Sequence, residues 1–165
     1  MSCKTAGMTI SPTDLTHLRR CVELATEALD DGDEPFGSIL VDEHGTVRFG
    51  DRNRVKDGDE TRHPEFEIAR WSAGNLTADE RRTSTVYTSG EHCPMCSAAH
   101  AWMGLGRIVY AVSTAQLVQW RTEWGMPASP VAPLPIDAVA PEVPTTGPVD
   151  ELVDELKALH RRHIG

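Results

Sequence analysis

Four side chains have the types and the spacing to do chemistry together: His63 and Glu65 in "HPEFEIAR", and Cys93 and Cys96 in "EHCPMCSAAH". A C-x-x-C pair supports three chemistries: thiol–disulfide exchange, half of a structural zinc clip, or part of a catalytic metal site. The two stretches share a design. In each, a candidate ligand directly precedes a proline, Pro64 or Pro94, and proline favours the first position of a helix. His63 and Cys93 are therefore expected at or beside helix N-caps, with Cys96 one turn into its helix on the side of Cys93. The positive helix end favours thiolate over thiol, which is the form a metal binds. One imidazole and two thiolates make a zinc set that leaves a fourth position for water, and two thiolates cancel the ion's charge, so the group can be buried.

The alternatives are open at this point. A structural zinc site wants a fourth protein ligand, and the sequence holds no second C-x-x-C. His92 adjoins Cys93, and neighbouring side chains point apart; His100, a turn beyond Cys96, is the best spare ligand. A redox pair explains neither His63 nor Glu65. Alone, Glu65 reads as a first-turn acid stabilising a helix dipole. Two residues from a metal-ligating histidine, the same carboxylate can take a proton from water and pass it on.

The elements that must position these residues are legible in outline. Ser11, Pro12 and Asp14 form a helix start, and Leu15, Leu18, Val22, Ala25 and Leu29 follow at helical spacing. Cys21 lies on that stripe as an inert core residue. Ser38–Val41 and Thr46–Gly50 read as a hairpin around "DEHG", and a polar loop leads to the Pro64 helix, which Gly74 ends. "TSTVYTS" is a strand, Pro94 opens a helix, and Arg107–Ser113 is a buried strand; the last two strands are expected to run parallel through a right-handed crossover. "AQLVQWRTEW" reads as a helix. The proline-rich stretch from Gly125 to Pro148 is expected to lack regular structure. An amphipathic helix follows through Val149, Leu152, Val153, Leu156 and Leu159. His17, His44, His160 and His163 are expected to face solvent, Trp71 and Trp102 to be core, and Cys3 to lie in a loose end.

The totals limit the function classes. A chain of 165 residues fits one domain, residues 1–165, with 114–165 as a C-terminal extension. Its formal net charge of −9 lacks the positive field that binds nucleic acid or anionic lipid. No apolar run reaches the roughly 20 residues of a membrane span, and the first residues carry no secretory stretch. A cytoplasmic protein is expected, with no membrane partner and nucleic acid disfavoured.

These residues and elements together resemble the zinc nucleoside and nucleobase deaminases of the cytidine deaminase superfamily. "HPE" followed by "CPMC" is similar to their H-x-E…P-C-x-x-C pattern. "EPFGSILV" resembles the "PFGA" of guanine and cytosine deaminases, and Asn53 in "NRV" stands where relatives carry a base-binding asparagine. The resemblance spans Leu15 to about Ser113 and is nearest to the guanine deaminase, cytosine deaminase and tRNA adenosine deaminase branch. Two departures are visible: His92 stands in place of a proline, and Pro64 in place of a small residue.

The resemblance implies an α/β fold, a three-layer α/β/α sandwich around a mixed five-stranded sheet. It implies Zn2+ on His63, Cys93 and Cys96, with Glu65 as the catalytic proton carrier, and hydrolytic release of ammonia from a free nucleobase or related amino-substituted heterocycle, guanine- or cytosine-like. Asn53 would orient the ring, and Phe36, with Trp102, Trp120 or Trp124, would stack on it. The backbone N–H groups opening the Pro94 helix, that of Cys93 above all, would help hold the reacting oxygen. Glu123, Asp137 or Glu142 would supply a second carboxylate from a chain end that closes the pocket, and the chain would form a homodimer. The competing readings are an editor of adenosine or cytidine in RNA, and a non-catalytic zinc or thiol-redox module.

Overall fold

The computed structural model describes residues 9–165; Cys3 lies outside them. Ser11 caps α1 (Pro12–Asp30) in a capping box: its side chain accepts the Asp14 N–H while Asp14 accepts the Ser11 N–H. The hairpin β1 (Gly37–Val41) and β2 (Val47–Arg52) follows. Next come α2 (Pro64–Asn75), α3 (Ala78–Thr83), β3 (Thr85–Gly90), α4 (Pro94–Trp102) and β4 (Arg107–Val112). The remainder is α5 (Thr114–Glu123), α6 (Ile136–Val139), β5 (Thr145–Thr146) and α7 (Asp150–His163).

The strands form one mixed sheet in the order β2-β1-β3-β4-β5. β1 pairs antiparallel with β2 and β3, whereas β3–β4 and β4–β5 are parallel, as the crossover through α4 requires. Side chains alternate across the strands. Ile39, Val41, Tyr87, Val109 and Ala111 pack with α1, α5 and α7 on one face. Leu40 and Val86 pack with Ile68 and Ala69 of α2 on the other, where Ile108 also meets Ile136 of α6. Burying each such aliphatic side chain contributes about 1.5–3 kcal/mol. The result is the three-layer α/β/α sandwich.

Several expectations are corrected. The proline-rich stretch carries both α6 and β5, because β4 offers an open edge on which Thr145 and Thr146 pair in parallel. α3 was not anticipated, although Thr77 and Glu80 give it a capping box. α2 runs one residue past Gly74. His17 packs on Tyr87, with ring centroids 4.7 Å apart, and His160 meets Phe36 at 4.9 Å, so neither simply faces solvent. Trp71 stacks on Phe49, but Trp102 is 87% exposed and is not core.

Candidate active site and metal centre

His63 is the N-cap of α2 and Cys93 the N-cap of α4, each followed by its proline, and neither side chain is spent on capping. Both are free to point at one another. His63 Nδ1 lies 3.6 Å from Cys93 Sγ and 3.6 Å from Cys96 Sγ, and the two sulfurs are 3.5 Å apart. A tetrahedral ion with bonds of about 2.0–2.3 Å sets its ligand atoms about 3.5–3.8 Å apart, so this nearly equilateral triangle fits zinc. Among the described residues, these three form the one cluster of histidine, cysteine or acidic groups that could hold a metal ion. Cys93 is held down to about 4, first by the hydrogen bond from the Cys96 thiol and also by His63. Its contact with Cys93 raises His63 to about 9, and Cys96, the donor between the sulfurs and buried, is pushed well up.

Glu65, in the first turn of α2, is buried, and burial raises its carboxyl above the usual range. The sheet holds one of its oxygens. Ser38 of β1 and Thr88 of β3 are register partners on the same face. Their hydroxyls lie 2.9 Å and 2.8 Å from Glu65 Oε1 and 2.8 Å from each other. Oε2 remains on the side of the cysteines, 3.8 Å from Cys96 Sγ.

These groups open on a cavity of about 170 Å³. Phe36 and Asn53 line it, with Pro64, Leu117 and the segment 129–133. The Asn53 N–H donates to the Phe36 carbonyl at 3.0 Å, and Asn53 Oδ1 accepts the Val55 N–H at 3.1 Å. The asparagine is thus both a turn residue and a cavity wall. Phe36 is wedged against Gly90, where an added Cβ would sit 2.8 Å from its ring. The segment 129–133, a cover on one side, leaves the cavity partly open to solvent.

None of Glu123, Asp137 and Glu142 lines this space. Glu123 is drawn away to Lys157 at 3.2 Å, and Asp137 lines a second cavity of about 290 Å³. Nor do Trp102, Trp120 and Trp124 line it; Trp120 is buried in the core on the α5–α7 side. The carboxylate that sequence reasoning missed is Glu91. Its Oε2 accepts the Thr114 N–H at 2.8 Å and its Oε1 the Ile136 N–H at 2.9 Å, so one side chain ties down the starts of α5 and α6. Its place in "GEHC" beside the first cysteine was the available signal. His100 does not reach the three donors; its Nε2–H donates to the Gly106 carbonyl at 2.7 Å. His92 is buried edge-on to His100, with ring centroids 5.4 Å apart.

Comparison with known proteins agrees with this geometry. A probable cytosine deaminase of Schizosaccharomyces pombe is 38% identical over 112 residues, which cover 67% of each chain. A guanine deaminase of Bacillus subtilis is 34% identical over 97 residues, covering 58% of this chain and 62% of that one. A solved guanine deaminase from Nitrosomonas europaea superposes with a TM-score of 0.67 at 18% identity, over 97% of this chain and 88% of the other, and shares the fold. The model of the cytidine and deoxycytidylate deaminase zinc-binding region matches residues 11–112. That match takes in more than half of the chain and contains His63, Glu65, Cys93 and Cys96, and the chain belongs to this zinc-binding deaminase family.

Proposed function

We propose that the protein is a zinc-dependent hydrolytic deaminase of a free nucleobase or a related amino-substituted heterocycle. The observation that carries this reading is the convergence of His63 Nδ1 and the two cysteine sulfurs beside Glu65, on a cavity of about 170 Å³. When bound, zinc supplies a Lewis acid that lowers the pKa of water from 15.7 to about 7.

The chain's residues supply the rest. Asn53 holds the ring and Phe36 packs on its face. Glu65 takes a proton from the attacking water at Oε2 and hands it to the ring nitrogen, then carries a second proton to the departing amine. Ser38 and Thr88 fix Oε1 so that Oε2 stays aimed at the reacting atoms. Segment 129–133 walls one side of the cavity. The net charge of −9 favours a small ring over a nucleic acid. Assembly as a homodimer belongs to the same proposal and is supported by the family likeness; a monomer in sedimentation at micromolar concentration would remove it.

The test is ammonia release by the zinc-loaded protein on a panel of aminopurines and aminopyrimidines. Turnover on a free base that greatly exceeds turnover on its nucleoside or in RNA is expected. Activity on RNA alone contradicts the reading.

A further inference from the structure

The carboxylate of Asp33 is buried, 1% exposed, yet it does not line the cavity. Its place follows from the end of α1. Gly32 takes a positive φ of 95°, which turns the chain out of the helix, and the Asp33 N–H donates back to the Ala28 carbonyl at 2.8 Å. A carboxylate so deeply buried needs charged or hydrogen-bonding partners. Among the described residues, its side-chain partners lie on one short segment, 52–56. Its Oδ1 accepts the Lys56 N–H at 2.8 Å, and Arg52 Nη1 lies 3.5 Å from its Oδ2.

That segment carries Asn53. The N–H groups of Val55 and Lys56 are consecutive, and they divide between two side chains. The first donates to Asn53 Oδ1 at 3.1 Å and the second to Asp33 Oδ1. With Oδ1 turned back to the loop, the Asn53 amide has its Nδ2 hydrogens left for the cavity that it lines. Arg52 Nη1 also lies 3.5 Å from the Asn53 carbonyl oxygen. One buried charge, 23 residues from Lys56 in the chain, thus sets the loop from which the amide is aimed. A shift of about 1 Å in a group that orients substrate can cost about 10²-fold in rate.

We infer that Asp33 is a positioning residue for the substrate-holding amide of Asn53, acting through the Lys56 N–H and Arg52. The inference rests on the deaminase reading above. Without Asp33 the Lys56 N–H loses its acceptor, the neighbouring Val55 N–H loses its fixed direction, and Asn53 Oδ1 is released. Arg52 remains paired with Asp31 at 3.0 Å, so the fold survives the change.

Two measurements on the full chain test it. The first is ammonia release by the zinc-loaded protein, on whichever base of a panel including cytosine and guanine is turned over fastest. Asp33→Ala should raise KM about tenfold with a smaller change in kcat. Asp33→Asn, which keeps an acceptor for the Lys56 N–H, should stay within about threefold of the parent. Asn53→Ala, alone or combined with Asp33→Ala, should give one and the same KM, because residues that act through one another do not add. The second is amide hydrogen exchange, which needs no turnover. In Asp33→Ala the Val55 and Lys56 N–H groups should exchange about tenfold faster or more, while β1 and β3 stay protected. If Asp33→Ala does not fold, Asp33→Leu, which keeps the side-chain size without an acceptor, carries the same predictions. Unchanged KM, additive losses in the double variant, or faster exchange throughout the sheet overturns the inference and leaves the deaminase reading standing. Ammonia from no base of the panel, with zinc bound, overturns both.

Discussion

Glu65 sits among groups that all hold it in place, and each makes a distinct prediction. Glu65→Gln keeps the shape and removes the proton carrier proposed above. It should retain zinc and fold while kcat falls about 10²–10⁴-fold, the usual worth of general acid–base catalysis; turnover near the parent level would refute the shuttle. Ser38 and Thr88 act through Glu65. Thr88→Val, which keeps the shape but loses the hydroxyl, should lower kcat about tenfold with KM unchanged, whereas Thr88→Ser should restore it. Equal loss in both variants would point to packing instead of the hydrogen bond to Oε1. Cys96→Ala should lose the metal as well as activity, read by elemental analysis.

At the scale of elements, the two proline-opened helices deliver the site, and the sequence made that visible. A ligand at an N-cap before a proline leaves few directions for its side chain, so His63, Cys93 and Cys96 could be placed together from spacing and helix geometry. The cover was not legible. Its prolines argue against regular structure locally, and only the open edge of β4 and the Glu91 carboxylate, both distant in sequence, give it β5 and α6 a place to form. The tail carboxylates failed for a similar reason: Glu123 has a better partner in Lys157 on a neighbouring helix, which no local pattern reveals. Glu91 holds the far end of the cover at Ile136 and the start of α5 at Thr114, through two charge-assisted hydrogen bonds worth about 1.5–3 kcal/mol each. Glu91→Ala should loosen it, raising KM about tenfold and opening the 126–134 segment to limited proteolysis. Unchanged KM and protease resistance would show that the cover is held by something else.

For the whole molecule, buried neutral imidazoles set a limit on acid stability. His100 is 1% exposed, and burial holds it down to about 4, against about 6.5 in an unfolded chain. Above pH 6.5 both states are neutral there and the residue adds no pH dependence. Below it the unfolded chain takes up the proton first, so stability falls until about pH 4, by as much as about 3 kcal/mol. His100→Gln keeps a donor for the Gly106 carbonyl and removes the titration. The stability difference between parent and variant in urea unfolding should shift by about that amount between pH 7 and pH 4; a difference independent of pH would contradict this assignment. No helix among the described residues is long and apolar enough to cross a membrane.

The most direct test of the central claim is zinc-edge X-ray absorption on the purified protein. One nitrogen at about 2.0–2.1 Å, two sulfurs at about 2.3 Å and one exchangeable light atom are predicted. Four protein ligands closing the coordination shell, or no zinc with Cys93 and Cys96 joined in a disulfide, would contradict it.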